Sequence, residues 1–554
     1  MTQAKIHDLI AAGIEQGWNV TDAATFNQDQ VIEADVVIVG TGAGGGIAAE
    51  MMTLAGLKVC MVEEGGLFGS SQFTLKESDA YPQLYQEGGA RRTADKAITL
   101  LQGRAVGGST TVSWASSMRI PDETLMYWRE HFGMGEFESG ELRRWFEQVE
   151  RYLNIAPWTS PSNTNNTVLA RGARKLGIST KPMARSVRDC WDLGYCSMGC
   201  PTNAKQSMLV TAIPAALDRG AALYTHLRAE KITFAHGQVR QLQCVALDEN
   251  GRYLTGVRVT IRARHFILAA GAMATPALLI RSEVWDPYRH VGARTLLQPV
   301  ALSAALMPKT VAAWQGAPQA LYSDHFLNLD EIDGPLGFTI ESAPVHPLMA
   351  AVALTGFGRF HRELMHQLPD LQLLLSGVRD GFHPLSVGGR VTLRGDGSPV
   401  LDYPLNETLW DAIRRAWLTM AEIQFAAGAK QVLPLHEDSQ VWTSWQSARD
   451  AIYRLPFTKM KARLISAHVM GGAAMAREEK LGVVSSFGRH WYLENLSIMD
   501  ASIFPTSLGV SPQLSVYALT ARNASHLVKE LTGKHLTLDD ALLGPEGTPA
   551  AALS

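Results

Sequence analysis

The stretch 36–65 constrains the fold more than any other part of the chain. Residues 36–39 are Val-Val-Ile-Val, an apolar, β-branched run of the length of a buried strand. Gly40-Thr41-Gly42-Ala43-Gly44-Gly45 follows directly and satisfies G-x-G-x-x-G. Apolar residues at helical spacing over 47–54 predict a helix, and 59–62 (Val-Cys-Met-Val) predict a second buried strand ending at Glu63. Strand, glycine turn, helix, strand and acid in this order make a dinucleotide-binding unit. Gly40 allows the tight turn, Gly42 lets backbone approach a pyrophosphate, and Gly45 lets helix and strand pack closely. The helix start, beginning with Ala43, offers free N–H groups to phosphate. Glu63 stands 23 positions after Gly40, in place to accept hydrogen bonds from an adenosine ribose. An acid there favours NAD or FAD over NADP.

The rest of the chain leaves room for that unit and more. At 554 residues, two domains or one large composite are expected. Net charge is −3 with no long basic stripe, which argues against nucleic acid as a partner. No run of 18 uncharged apolar residues occurs, so a spanning helix is not expected. The first twenty residues carry charges too early for a secretory segment, so a cytoplasmic location is expected, with peripheral membrane contact left open.

Further along, Gly103-Arg104-Ala105-Val106-Gly107-Gly108-Ser109 leads to Ser113-Trp114. Such a loop presents N–H groups and small side chains to a flat or anionic ligand; an ordinary surface loop has the same composition. Residues 121–160 read as helical, with Trp128, Phe132, Leu142, Trp145, Val149 and Tyr152 on a buried face. Cys190, Cys196 and Cys200 fit neither a common zinc spacing nor an iron–sulfur run, so no metal is assigned. A redox-sensitive pair and inert thiols in a glycine-rich loop stay open. A helix is expected over 205–217. Strands are expected over 222–226, 231–234, 239–247, 255–261 and 265–268. The last of these runs into Ala270-Gly271 and a helix with Pro276 in its first turn. Strands and helices then mix from about 295 to 460, as in a second domain; its apolar residues suit the wall of a pocket for a hydrophobic substrate, and plain core has the same composition. Near the end, His468 stands before Gly471-Gly472, a strand closes on Asp500-Ala501, and Pro512-Gln513 opens a helix.

Four blocks, 36–65, 103–121, 266–281 and 465–530, together resemble the glucose–methanol–choline (GMC) oxidoreductases, FAD enzymes that oxidise alcohols. The blocks keep the family's order over nearly the whole chain. The 106–121 and 196–206 blocks resemble the long-chain alcohol oxidase and dehydrogenase branch. The resemblance implies an α/β (α+β overall) fold: a Rossmann-like FAD-binding domain from separated segments (31–120, 201–295, 461–535) and a mixed sheet-and-helix substrate domain (121–200, 296–460). An N-terminal arm (1–30) and a C-terminal tail (536–554) complete the chain. FAD is expected to be noncovalent, because no histidine stands in the 103–119 block where some relatives attach it. The implied cofactor residues are Gly40, Gly42, Ala43, Gly45, Glu63, Gly103, Gly107, Gly108, Ser109, Ser113, Trp114, Ala270, Gly271, Asp500, Ala501, Pro512 and Gln513. His468 matches the family's catalytic histidine, and Ser511 takes the place of its usual Asn or His partner. Ser113 likewise replaces an Asn. The implied reaction is oxidation of a hydrophobic primary alcohol to the aldehyde. Oxygen, a quinone or a carrier protein would take the electrons. Altered, non-oxidative chemistry on the same fold and a flavin-binding scaffold are the competing readings.

Overall fold

The computed structural model describes residues 6–137 and 139–542. The first five residues of the N-terminal arm and 543–554 of the expected C-terminal tail lie outside them.

The first sheet grows from the predicted unit. Strand Gln30–Val39 pairs in parallel with Val59–Val62 on one side and Leu254–Leu268 on the other. Helix Ala43–Leu54 connects the first two strands. Asn19–Asp22 and Ala222–Thr225 extend the sheet beyond Val59–Val62. Gln238–Leu247 and Leu227–Ala235 extend the other side in antiparallel fashion. The two short strands expected over 255–261 and 265–268 are one strand of 15 residues. It changes partner midway, from Gln238–Leu247 to Leu496–Ile498. Registers align Val39 with Val62, Val39 with Leu268, and Leu268 with Ile498. The next residues, Gly40, Glu63, Ala269 and Met499, therefore emerge along one carboxyl edge, where open α/β sheets bind ligands.

The second sheet contains Ile98–Leu100, Leu464–Ser466, Val300–Leu306, Leu371–Val378, Phe338–Ser342, Leu321–Phe326 and Lys181–Pro182 in that order, with Gln431–Pro434 also on Val300–Leu306. Helix Glu407–Ala426 covers one face. Gln424 accepts from Ser303 Oγ at 2.7 Å and donates to Gln372 at 2.8 Å, and Trp417 Nε1 donates to the Leu302 carbonyl at 2.9 Å. Since side chains alternate along a strand, Val300, Leu302, Leu375 and Glu341 lie on the opposite face.

Two local expectations shift. The helix expected over 205–217 is Ala212–Asp218, because Lys205 is taken up in a bridge to Val187. Pro276 sits inside helix Gly271–Arg281 rather than in its first turn, because the Asp500 carboxylate receives the Gly271 N–H and starts the helix earlier.

Candidate active site

The glycine turn folds as its residues require. Gly40 has φ +94°, and a Cβ there would lie 2.5 Å from the Ala269 carbonyl oxygen. A Cβ on Gly45 would lie 1.9 Å from the Gly40 carbonyl oxygen, so this glycine sets the helix on the strand. Gly44 is equally constrained, with its would-be Cβ 1.6 Å from the Met499 carbonyl oxygen. Gly42 differs: its Cβ would meet nothing nearer than Gly108 Cα at 3.8 Å.

Glu63 is buried, and both its oxygens are engaged within the turn. One accepts from Thr41 N at 3.1 Å and Thr41 Oγ1 at 2.6 Å; the other accepts from Gly65 N at 2.9 Å. Burial pushes the carboxyl above its ordinary range despite these bonds. The oxygen that accepts only from Gly65 N keeps a lone pair for a ribose hydroxyl. Thr41 Oγ1 also accepts from Gly107 N at 3.1 Å, which ties the first turn to the 103–114 loop. Pattern reading passed over Thr41, since it fills an unspecified position of the glycine motif.

That loop is compact. Gly103 N donates to Ser109 Oγ at 3.0 Å, and Gly107 and Gly108 both have positive φ. A Cβ on Gly108 would stand 2.7 Å from Gly42 Cα, so the two glycine loops face each other at backbone distance. Ser113 ends the short helix Ser109–Val112, and Trp114 packs partly against the core of the second sheet.

Asp500 organises a third part. Its Oδ2 accepts from Gly271 N at 2.8 Å and Thr275 Oγ1 at 2.6 Å, and its Oδ1 accepts from Ser502 N at 2.8 Å. Burial raises its carboxyl as well. Ala270 N donates to the same Thr275 hydroxyl at 3.1 Å. The Ala501 carbonyl accepts from Gly471 N at 2.9 Å, which brings the histidine loop beside the acid.

His468 follows strand Leu464–Ser466 by two residues. Its Nδ1 is buried without a partner, and no hydrogen bond to Nε2 forms among the described residues. Burial pushes the imidazole down to about 4, so it is neutral at physiological pH. Ser511 donates its hydroxyl to the Ser116 carbonyl at 3.1 Å. Its proton is therefore committed to backbone, and only its oxygen lone pairs are open to a ligand. Pro512 caps helix Gln513–Thr532, and Gln513 donates to Tyr517 at 2.9 Å.

Exposure tests whether these pieces can hold a dinucleotide. Gly42, Ala43, Gly108 and Ser109 are accessible although the residues around them are mostly buried. The same holds for Ala270 and Gly271, for Ala501, and for Gln513 within its buried helix. A Cβ on Gly271 would enter open space. Positions from four separated segments thus leave backbone and small side chains open along one sheet edge, and the residues present fit an extended flavin dinucleotide.

Fold and site together define a dinucleotide-dependent redox protein with a separate, largely apolar sheet beside the cofactor edge. Two GMC oxidoreductase family profiles match residues 81–300 and 384–520. An uncharacterized GMC-type oxidoreductase of Mycobacterium tuberculosis is 30% identical over 535 residues, covering 95% of this chain and 82% of its own. A long-chain-alcohol oxidase of Arabidopsis thaliana is 26% identical over 525 residues, covering 91% and 67% respectively. Aspergillus oryzae formate oxidase superposes with a TM-score of 0.67 at 15% identity, covering 91% of this chain and 99% of that one. The chain belongs to the GMC oxidoreductase family. It is an oxidoreductase with FAD as its cofactor.

Among the described residues, no three His, Cys, Asp or Glu side chains group to hold a metal ion. No helix there is long and apolar enough to cross a membrane.

Proposed function

We propose that the chain oxidises a hydrophobic primary alcohol to its aldehyde, with His468 as the base. The observation that carries this is the place of His468: an imidazole whose buried Nδ1 has no partner among the described residues, on the loop that Gly471 ties to Ala501 beside Asp500. The likeness to long-chain-alcohol oxidases supports the substrate class. So does the face carrying Val300, Leu302 and Leu375, which is apolar there apart from the buried Glu341.

Gly40, Gly42, Ala43, Gly45 and Glu63 would hold the adenosine diphosphate half. Gly103, Gly107, Gly108, Ser109, Ser113 and Trp114 would line the middle of the site. Ala270, Gly271, Asp500, Ala501, Pro512 and Gln513 would close its other side. The FAD is noncovalent in this reading, and segments 31–120, 201–295 and 461–535 form its domain, except that Ile98–Leu100 and Leu464–Ser466 pair within the second sheet and Asn19–Asp22 joins the first. Bound FAD supplies the hydride acceptor. His468 Nε2 takes the alcohol proton as the C–H bond breaks, and a neutral imidazole is the form able to do so. Ser511 offers its oxygen to the alcohol hydroxyl and so helps orient it. The apolar face excludes water from the carbon chain. Oxygen is the proposed electron acceptor, with a quinone or carrier protein as the alternative.

The test is an anaerobic visible spectrum of the FAD-loaded protein with alcohols from short to long. Bleaching by a long alcohol, and its loss in His468→Ala, is the expected result. A flavin that dithionite reduces and no alcohol does would overturn the reading.

A further inference from the structure

Two cations lie buried behind the 111–114 segment, and neither belongs to the machinery above. Lys205 is 3% exposed and Arg185 is 1% exposed. Lys205 Nζ donates to three carbonyls: Thr111 at 2.6 Å, Ser113 at 2.9 Å and Cys196 at 2.7 Å. Arg185 Nη2 donates to the Trp114 carbonyl at 3.0 Å and lies 3.7 Å from Cys196 Sγ. Its Nε and Nη1 are buried without partners, and the guanidinium stacks on Trp158 at 5.0 Å. Neither cation forms a salt bridge among the described residues.

A buried cation without a salt bridge is costly, so the fold must over-determine it. Here the backbone does so. Lys205 is bridged to Val187, and Arg185 to Ser116. Ser186 N donates to the Ala115 carbonyl at 3.1 Å, and Ser117 N to the Ala184 carbonyl at 2.8 Å. The carbonyls of Thr111, Ser113 and Trp114 are thus turned toward positive charge.

We propose that Lys205 and Arg185 are positioning residues for the cofactor: a buried cation pair without a salt bridge that fixes the 111–114 turn and holds positive charge behind it, making bound flavin easier to reduce. This rests on the reading that the turn lines the FAD site. Reduction adds two electrons and a proton to the flavin, leaving one further negative charge for the pair to attract. The groups facing Lys205 are the thiols of Cys196 and Cys200 and the Arg185 guanidinium; Cys190 and Asp192 lie around Arg185. Burial lowers Lys205 to about 8. The neutral amine has two N–H groups for three carbonyls, so raising the pH through that value weakens both clamp and charge.

The experiment is a potentiometric dithionite titration of the FAD-loaded protein between pH 7 and 9, which needs no alcohol. Lys205→Met is expected to lower the ratio of reduced to oxidised flavin, at one applied potential and pH 7, by roughly tenfold. Lys205→Arg keeps most of the wild-type ratio. Wild type shows a break near pH 8 that Lys205→Arg lacks. Should Lys205→Met fail to fold, the wild-type and Lys205→Arg profiles decide alone. A wild-type profile without a break, or a Lys205→Met ratio equal to wild type, overturns the proposal. Alcohol-independent titration keeps this outcome separate from failure of the alcohol reading.

Discussion

Glycines that look alike in the sequence separate by what surrounds each one. Gly42 and Gly44 both lie in the phosphate turn. A Cβ at Gly44 would collide with the Met499 carbonyl oxygen at 1.6 Å, while one at Gly42 would reach only Gly108 Cα at 3.8 Å. Gly44→Ala should therefore cost about 3 kcal/mol or prevent folding. Gly42→Ala should fold, with the melting temperature of the apoprotein unchanged, and bind FAD at least tenfold more weakly, since its methyl enters the phosphate approach. Thermal melts and FAD titrations on both variants check this; a Gly42→Ala protein with wild-type affinity would remove Gly42 from the site. His468 gives a second prediction at this scale. Its imidazole titrates near 4 rather than near its ordinary value, so it stays neutral as pH falls from 8 to 6. The rate of anaerobic reduction by alcohol should carry no loss from His468 in that range and should fall as pH approaches 4. His468→Ala should slow reduction by about 10²–10⁴-fold with flavin retained. Stopped-flow reduction across pH reads both effects, and a wild-type rate that halves near pH 6.5 and stays low contradicts the assignment.

Elements are held at the cofactor edge by single side chains reaching from elsewhere. Asp500 accepts three hydrogen bonds from the starts of two helical segments, Gly271–Arg281 and Ala501–Ile503. Asp500→Ala leaves those donors without a partner and should lower stability by about 3 kcal/mol. Asp500→Asn, which keeps one acceptor oxygen, should lose less. Urea unfolding of the two variants orders them, and equal midpoints for Ala and wild type would show that these bonds contribute nothing. The same contact explains what pattern reading placed and what it missed. The first strand–turn–helix–strand unit was legible because its hydrophobic period and its glycines are local. The start of Gly271–Arg281 was not, since the acid that starts it stands more than two hundred residues later. Lys205 misled for a related reason: a lysine before an apolar run reads as helix, yet this one bridges Val187 and gives its ammonium to three distant carbonyls. Ser511 was legible as a position and not as a role, because only the fold shows its hydroxyl committed to the Ser116 carbonyl.

At the scale of the whole molecule, the cofactor edge joins segments that share no local contacts in sequence. The Gly40–Glu63 turn meets the 103–114 loop through Thr41 and Gly108. The histidine loop meets Ala501, and Ser511 meets Ser116. Strands Ile98–Leu100 and Leu464–Ser466, which flank these segments, pair with each other inside the second sheet. A ligand spanning the edge therefore links both sheets, and its binding free energy adds to the stability of the whole by mass action. Free FAD at a hundred times its dissociation constant should add about 2.7 kcal/mol to the apoprotein. ADP offers only the half that Gly40 to Glu63 would hold. At saturating concentration it should raise the melting temperature of the apoprotein by a smaller step than FAD, and a Gly42→Ala apoprotein should lose most of that step. Calorimetric melts of apoprotein with no ligand, ADP and FAD measure the difference. Equal steps for ADP and FAD would mean that the 103–114 and 501–513 segments gain nothing from the flavin half, and the composite site proposed above would shrink to its first turn.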